Sequence, residues 1–429
     1  MSVRLLCNCL ALLLLAGSAQ AELDLRLKTF GTLSDLPSDD ALASVAGDPV
    51  QDTSVDLRTL FRSTHGAWQL TLDHTIFGMA GDTAIRPQVT GARLGGAPDD
   101  DSSRRFDLTW RLGSNEDGYA LHRLDRMAID YRGTDWGLSL GRRAVSWGGG
   151  MVFQPLDLFA PFAPTAVDRD YKPGEDMALV DRLFANGSDL QMLAVFRRDE
   201  TGRADADVGS FGVKWHRPIG AGEIEFIAGE HFDDRVVGAS LRVPMGGAML
   251  RSDVLQTHTD DGRAYWSALL NMDVSTVLGG RNVITFAEAF RNGFGVANDR
   301  PELLALPSRL RARLERGEVF SLQRHYFALG ATIEWHPLVN QQITAIRSVD
   351  DGSSLLQAEL RLTPTDALRV DVGVLVSLGS RGEEFGALPL VSPSTLSAPG
   401  ADALAPTVGG ERSIYVRAVW FGRLRSVTE

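Results

Sequence analysis

The sequence predicts an all-β fold, a transmembrane antiparallel up-and-down β-barrel of about 18 strands, or about 20 on the alternative count. Three observations carry this expectation. The chain opens with an export signal, it holds no apolar run long enough for a membrane helix, and it repeats a period-two pattern in runs of membrane-spanning length.

The signal comes first in the chain. Arg4 precedes an apolar stretch from Leu5 to Ala16, and small residues end in Ala19-Gln20-Ala21, the layout of a secretory leader with its cleavage site. The expected division is a signal peptide over 1–21 and a single barrel over 22–429, with the mature chain starting at Glu22. The only two cysteines, Cys7 and Cys9, fall inside the leader. The mature chain therefore has neither a disulfide framework nor a thiolate metal site.

Composition narrows the class further. A net charge of −12 argues against nucleic acid, whose phosphates select basic faces. Beyond residue 21 every apolar segment is broken by charge, well short of the roughly 18 residues a spanning helix needs. No Pro/Ser-rich linker divides the chain into soluble domains. If it enters a membrane, it does so as strands.

The strand signal begins near residue 53. In 207–217, Phe211, Val213 and Trp215 alternate with Ser210, Gly212, Lys214 and His216. Runs near 66–76, 281–291, 325–335 and 353–363 behave likewise, the last with Leu356, Ala358, Leu360 and Leu362 opposite Gln357, Glu359 and Arg361. Such runs reach about 9 to 11 residues, the length of a tilted bilayer-spanning strand, whereas globular strands average about five or six.

The connections alternate as well. Asn186-Gly187-Ser188, Pro218-Ile219-Gly220, Pro244-Met245-Gly246, Pro337-Leu338 and Pro364-Thr365 read as tight turns, and the connections between them, such as 197–207, 292–324 and 379–410, are mostly longer and acidic. Short periplasmic turns and longer exterior loops fit an outer-membrane barrel. A weak strand near 85–95 is needed to keep both termini on the periplasmic side. Trp68, Trp136, Trp215, Trp335 and Trp420 fall near predicted periplasmic strand ends and Trp266 near an outer end, as an interfacial girdle requires. The run 411–421 looks like a final barrel strand read by the assembly machinery, although Phe421 is followed by eight further residues.

The most distinctive segment is the loop 144–177. It comes after Gly141-Arg142-Arg143 and contains Trp147-Gly148-Gly149-Gly150, then Gln154-Pro155-Leu156-Asp157-Leu158-Phe159-Ala160-Pro161. Glycines permit a sharp reversal, prolines restrict the backbone beyond it, and large apolar residues give the loop something to bury. It resembles a segment of proteobacterial outer-membrane porin-like barrels, related in kind to alginate-export porins, in which a Gly-Arg-Gln strand end leads to a Trp-Gly turn and a Pro-x-Asp loop. Arg143 stands where that pattern has Gln. The resemblance implies barrel class rather than substrate. The expected anchors are Trp147, Gly148, Gly150, Pro155, Asp157, Phe159 and Pro161. If the loop folds into the lumen, Arg143, Asp168, Arg169, Asp170, Lys172, Asp176 and Arg182 would line the constriction. The bland alternative is a loop packed on the rim, its ion pairs structural.

Predicted inward faces carry both signs: Arg111, Arg126, Lys214, Arg361 and Arg417 against Asp107, Asp130, Glu223 and Glu359. A dry core could not bury so many ions, and a watery lumen can hold them. In 298–324, Ser308 is placed to cap a helix bearing Arg309, Arg311, Arg313 and Arg316, which reads first as a solvated loop helix and second as a contact for lipopolysaccharide phosphates. Asp260-Asp261 and Asp350-Asp351, each preceding a Gly, read as turns before they read as cation bridges.

The eight histidines are scattered, and no zinc, nucleophile-elbow or P-loop motif is present. The expectation is no enzyme, no cofactor and no metal. The leading functional reading is an outer-membrane channel for small hydrophilic or amphipathic solutes. A non-conducting structural or export-partner barrel is the alternative, with a barrel enzyme a distant third. Expected partners are outer-membrane lipid, lipopolysaccharide, the barrel-assembly machinery and small solutes, with no nucleic acid. Self-association into a homo-oligomer stays open.

Overall fold

The computed structural model describes residues 20–46, 48–84, 100–167, 170–390 and 407–424. Strands β1 (Gln20–Asp35), β2 (Val50–His65), β3 (Trp68–Gly81), β4 (Thr109–Ser114), β5 (Gly118–Arg132) and β6 (Trp136–Arg143) open the chain. After a long loop come β7 (Glu175–Leu183), β8 (Asp189–Arg198), β9 (Ala204–Ile219), β10 (Gly222–His231), β11 (Asp234–Met245), β12 (Ala248–His258), β13 (Ala264–Leu278) and β14 (Arg281–Arg291). The circuit ends with β15 (His325–His336), β16 (Val339–Ser348), β17 (Ser354–Thr365), β18 (Leu368–Leu378), a two-residue pair β19 (Leu388–Pro389) and β20 (Thr407–Val408), and β21 (Arg412–Leu424). Because β21 pairs with both β18 and β1, the sheet closes on itself.

The barrel has 18 staves. Nineteen strands share the sheet because β4 pairs with β5 beyond the point where β6 ends, so the two short strands share one column. The count agrees with the sequence expectation, but its membership differs. The first stave is β1, paired with β2 from Gln20↔Thr64 to Ser34↔Val50, whereas the sequence reading starts the strand series only near residue 53. The weak strand expected near 85–95 lies outside the described residues, as does most of the leader.

The start of β1 and the end of β21 lie at the end of the barrel with the tight turns. Three expected turns are shifted: Pro218, Pro244 and Pro364 sit in the closing residues of their strands, and the reversals fall just after them. A proline lacks only the ladder donor, which a strand end can spare. At the opposite end the alternation is less regular than expected. β10 and β11 are joined by Phe232 and Asp233 alone, whereas 144–174, 292–324 and 379–411 are long.

The outside is apolar. Trp68, Trp136, Trp335 and Trp420 are exposed at the tight-turn end and Trp266 near the other, framing a belt that includes Ile129, Leu140, Phe211, Leu270 and Val416. Large exposed apolar side chains around a closed sheet suit hydrocarbon, not water. The register in β17 is explicit: Leu360 is 37% exposed on the outside and Glu359 is 8% exposed on the inside. We therefore expect Leu360→Arg to cost roughly 2 to 4 kcal/mol on refolding into liposomes, as for a cation at mid-bilayer. Gln342→Arg, on the inward side opposite Glu359, should cost far less. Equal losses would reverse the assignment of inside and outside.

Candidate constriction loop and lumen wall

The described residues of the loop 144–174 lie inside the barrel and are held by inward-facing side chains. Trp147 and Phe159 meet edge to face with ring centroids 5.2 Å apart, and both pack with Leu156 against Met177, Leu179, Leu193, Val195, Ile227, Val236 and Leu255. Farther round the wall, Val152 and Phe153 join Leu269, Phe286, Tyr326, Ala328, Ile346, Leu355 and Leu375. Each buried large apolar side chain contributes about 1.5 to 3 kcal/mol relative to exposure, so these contacts fix the loop rather than decorate it.

Polar anchors register the loop within that packing. The Trp147 indole N–H donates to Gln191 at 2.7 Å, the Gly149 N–H donates to Asp253 at 3.0 Å, and Arg242 donates to the Gly148 carbonyl at 2.7 Å. The fully buried Glu288 carboxylate accepts the N–H groups of Met151, Val152 and Phe153, its nearest oxygens at 2.8, 3.1 and 2.7 Å. Gly148 has φ +85°, and a Cβ on Gly150 would sit 1.8 Å from the Phe153 carbonyl, so both turn positions require glycine. Pro155 and Pro161 line a cavity of about 80 Å³ beneath the outer loop 292–324. Asp157 accepts from Lys172 at 2.6 Å with both groups buried, and Lys172 also donates to the Val145 carbonyl and Ser146.

Two glycines that the sequence pattern does not single out complete the seat. A Cβ on Gly212 would lie 2.6 Å from the Trp147 ring, and one on Gly238 would lie 2.7 Å from Leu156. Both are inward-facing strand positions. A glycine inside a strand is a recognisable sign of close approach, but only the fold tells what approaches.

The candidate lining residues divide. Asp170 pairs with Arg26 at 2.7 Å and with Arg369 at 2.6 Å. Tyr171 donates to Asp73 and lies between the guanidinium groups of Arg58, 3.4 Å from the ring centroid, and Arg126, at 4.4 Å. Arg143 faces inward and pairs with Asp130 and Ser139. Asp168 and Arg169 lie outside the described residues. Asp176 and Arg182 are corrections. Asp176 pairs in register with Arg142, which shares the parity of lipid-facing Leu138 and Leu140; both are buried under the segment 100–108 through Asp101 and the Phe106 N–H. Arg182 pairs with Asp135 and lies over the exposed Trp136 ring at the tight-turn rim, the opposite parity from inward Met177, Leu179 and Asp181. A one-residue step changes the face of a strand, so neither side chain reaches the lumen.

The lumen charges are segregated. On the contiguous staves β17, β18, β21, β1, β2, β3 and β5, Arg361, Arg369, Arg417, Arg26, Lys28, Arg58, Arg62, Arg123 and Arg126 outnumber the acids they pair with, among them Glu359, Asp371, Asp56, Asp73 and Asp125. The opposite half holds Asp181, Glu223, Glu225, Asp253, Asp273 and Glu288 against Lys214, Arg242 and Arg251. Arg111 pairs in register with Leu121, on the same face as inward Arg123, and lies over the Tyr119 ring, while Asp107 is exposed just before β4.

The outer loops are pinned to one another. Glu384 accepts from the Leu322 N–H at 2.8 Å and from the Tyr326 hydroxyl at 2.5 Å, and burial pushes its carboxyl up to about 7. The short helix Ser308–Glu315 has Pro307 in the cap position and no side-chain capping bond, so the expected serine cap is absent. Arg309, Arg313 and Arg316 are engaged by Asp260, Asp234 and Glu318, so the arginine run serves mainly to tie loops together. Asp350 accepts the Arg324 and His325 N–H groups, and Asp351 accepts the Ser353 N–H, as turn residues do. Among the described residues no cluster of three His, Cys, Asp or Glu is placed to hold a metal ion.

No family model and no curated relative matches the sequence. Solved structures do match the fold. OccAB1 of Acinetobacter baumannii is similar with a TM-score of 0.53 and 9% identity over 94% of this chain and 97% of its own. OpdK of Pseudomonas aeruginosa, an outer membrane protein whose structure is also described with vanillate, is similar with a TM-score of 0.52 and 11% identity over 94% of this chain and 99% of its own. OccK7 of the same organism has a TM-score of 0.50 and 11% identity over 96% of this chain and 100% of its own. At such identities the likeness establishes the 18-stranded barrel.

Proposed function

We propose that the protein is an outer-membrane channel through which small hydrophilic or amphipathic solutes diffuse past the loop 144–174. The observation that carries this reading is a cavity of about 300 Å³ between the loop and the basic half of the wall. Gln342, Thr344, Gln357 and Arg361 offer it amide, hydroxyl and guanidinium groups, while Met151, Val152 and Phe286 give it an apolar side. The Arg361 side chain is 40% exposed, the most open cation of its cluster. An apolar face beside a cationic one suits a small solute with an apolar body and a carboxylate, and vanillate, described with OpdK, is of that kind. Separated charges on opposite walls would orient such a dipolar solute in the narrow region. Asp170, Lys172 and Arg143 are the lining candidates that belong to this proposal, with lipid and lipopolysaccharide as the surroundings and the assembly machinery as the inserting partner. The kinship in kind to alginate-export porins, read from the loop motif, belongs to it as well.

A second reading has its own support. The two apolar clusters through which the loop fills much of the interior suit a plugged, non-conducting barrel serving as a structural or export partner. Planar bilayers separate the two. The purified protein should give discrete open-channel steps, and vanillate at millimolar concentration should reduce the current. A folded barrel that inserts without steps would favour the plugged reading.

A further inference from the structure

Asp170 comes from the loop, while the cations it meets come from the wall. Its Oδ2 lies 2.7 Å from Arg26 on β1, 2.6 Å from Arg369 on β18 and 4.0 Å from Arg417 on β21, three neighbouring staves. Wall acids partly balance these arginines: Asp371 pairs with Arg369, Arg361 and Arg417, and Glu359 pairs with Arg361 and Arg417. Among the described residues four arginines thus face two wall carboxylates, and a third carboxylate is lent by the loop. Asp170 also borders the same cavity as Arg361, Arg369 and Arg417, so the charge it adds is felt where a solute would pass. The Arg417 guanidinium donates to the Val167 carbonyl at 2.8 Å, which holds the loop against this cluster by a contact that needs no side chain from Asp170.

We infer that Asp170 is a specificity-determining residue of the channel: an internal counter-ion that offsets the arginine cluster and holds down the preference of the narrow region for anions. The inference rests on the channel reading above. Removing its charge while keeping its size leaves the cluster one negative charge poorer, and the field inside a narrow low-dielectric passage magnifies that change.

The test is the reversal potential of single channels in a KCl gradient, measured for the wild type, Asp170→Asn and Asp170→Glu, each shown to be folded by heat-dependent gel migration. Asp170→Asn should raise the chloride-to-potassium permeability ratio at least about twofold at low salt, with a smaller change at about 1 M salt where screening is short-ranged. Asp170→Glu keeps the charge and should stay near the wild-type ratio. An unshifted ratio in Asp170→Asn, in a channel whose wild type conducts, overturns the inference alone. An equal shift in Asp170→Glu also overturns it, because displacement of the loop would then be the cause. A wild type that gives no steps overturns the channel reading and the inference with it.

Discussion

Replacing residues 151–173 with a short Gly/Ser connection is expected to leave a closed barrel and to raise single-channel conductance severalfold. The staves pair with one another around the full circuit, and none of that pairing uses the loop. What the deletion removes is packing. Val152, Phe153, Leu156 and Phe159 are all buried against inward side chains, at about 1.5 to 3 kcal/mol each. The variant should therefore be less stable than the parent, yet still migrate as a folded barrel before heating, since ladder hydrogen bonding in lipid has no competing solvent. Opening the path between the basic and acidic halves should then show directly as current. Unchanged conductance in a barrel verified as folded would mean that solutes pass elsewhere or not at all.

The parts of this architecture that are legible in the sequence are those fixed by local rules. Period two places Leu360 outside and Glu359 inside without reference to any other strand, and tryptophans such as Trp68 and Trp420 mark the end of the barrel by their own partition preference. The glycines at 148 and 150 are readable as a reversal and the apolar run after them as something to be buried. The target of that burial is not readable. Gly212 and Gly238 receive Trp147 and Leu156 across separations in sequence that no short window spans. β1 does alternate, Leu23, Leu25 and Leu27 against Asp24, Arg26 and Lys28, but the strand already begins at Gln20, inside the stretch read as the leader's cleavage region, so the export signal masks the strand signal.

Electrostatics are legible as composition only. Arg361, Arg417 and Glu359 fall on inward faces as their strand parity predicts, but the sequence cannot bring Arg26 from the first stave beside Arg369 and Arg417 from the last two. That adjacency exists because the barrel closes, and it turns a mixture of signs into two opposed halves. Arg182 departs from expectation for the converse reason. A dense local run of charge suggests a common destination, whereas alternate residues of β7 face opposite sides of the wall.

The loop's strongest polar attachment gives the second large effect. Glu288→Ala should release the turn at Met151–Phe153, because one carboxylate satisfies three consecutive backbone donors and also accepts from Asn271 at 3.0 Å. Each buried donor left without a partner costs about 1 to 3 kcal/mol, so the three together rival the apolar burial of Val152 and Phe153 in the same turn. Chymotrypsin added to the detergent-solubilised protein should then cut after Phe153 or Phe159, bonds the parent protects, while the barrel itself stays intact. Open-channel current should become noisier for the same reason, as the freed segment fluctuates in the path. Glu288→Gln retains an acceptor oxygen but loses the charge, and should fall between the two. If Glu288→Ala resists chymotrypsin as well as the parent does, the apolar contacts of Val152 and Phe153 suffice to hold the turn, and the carboxylate clamp contributes little to the position of the loop.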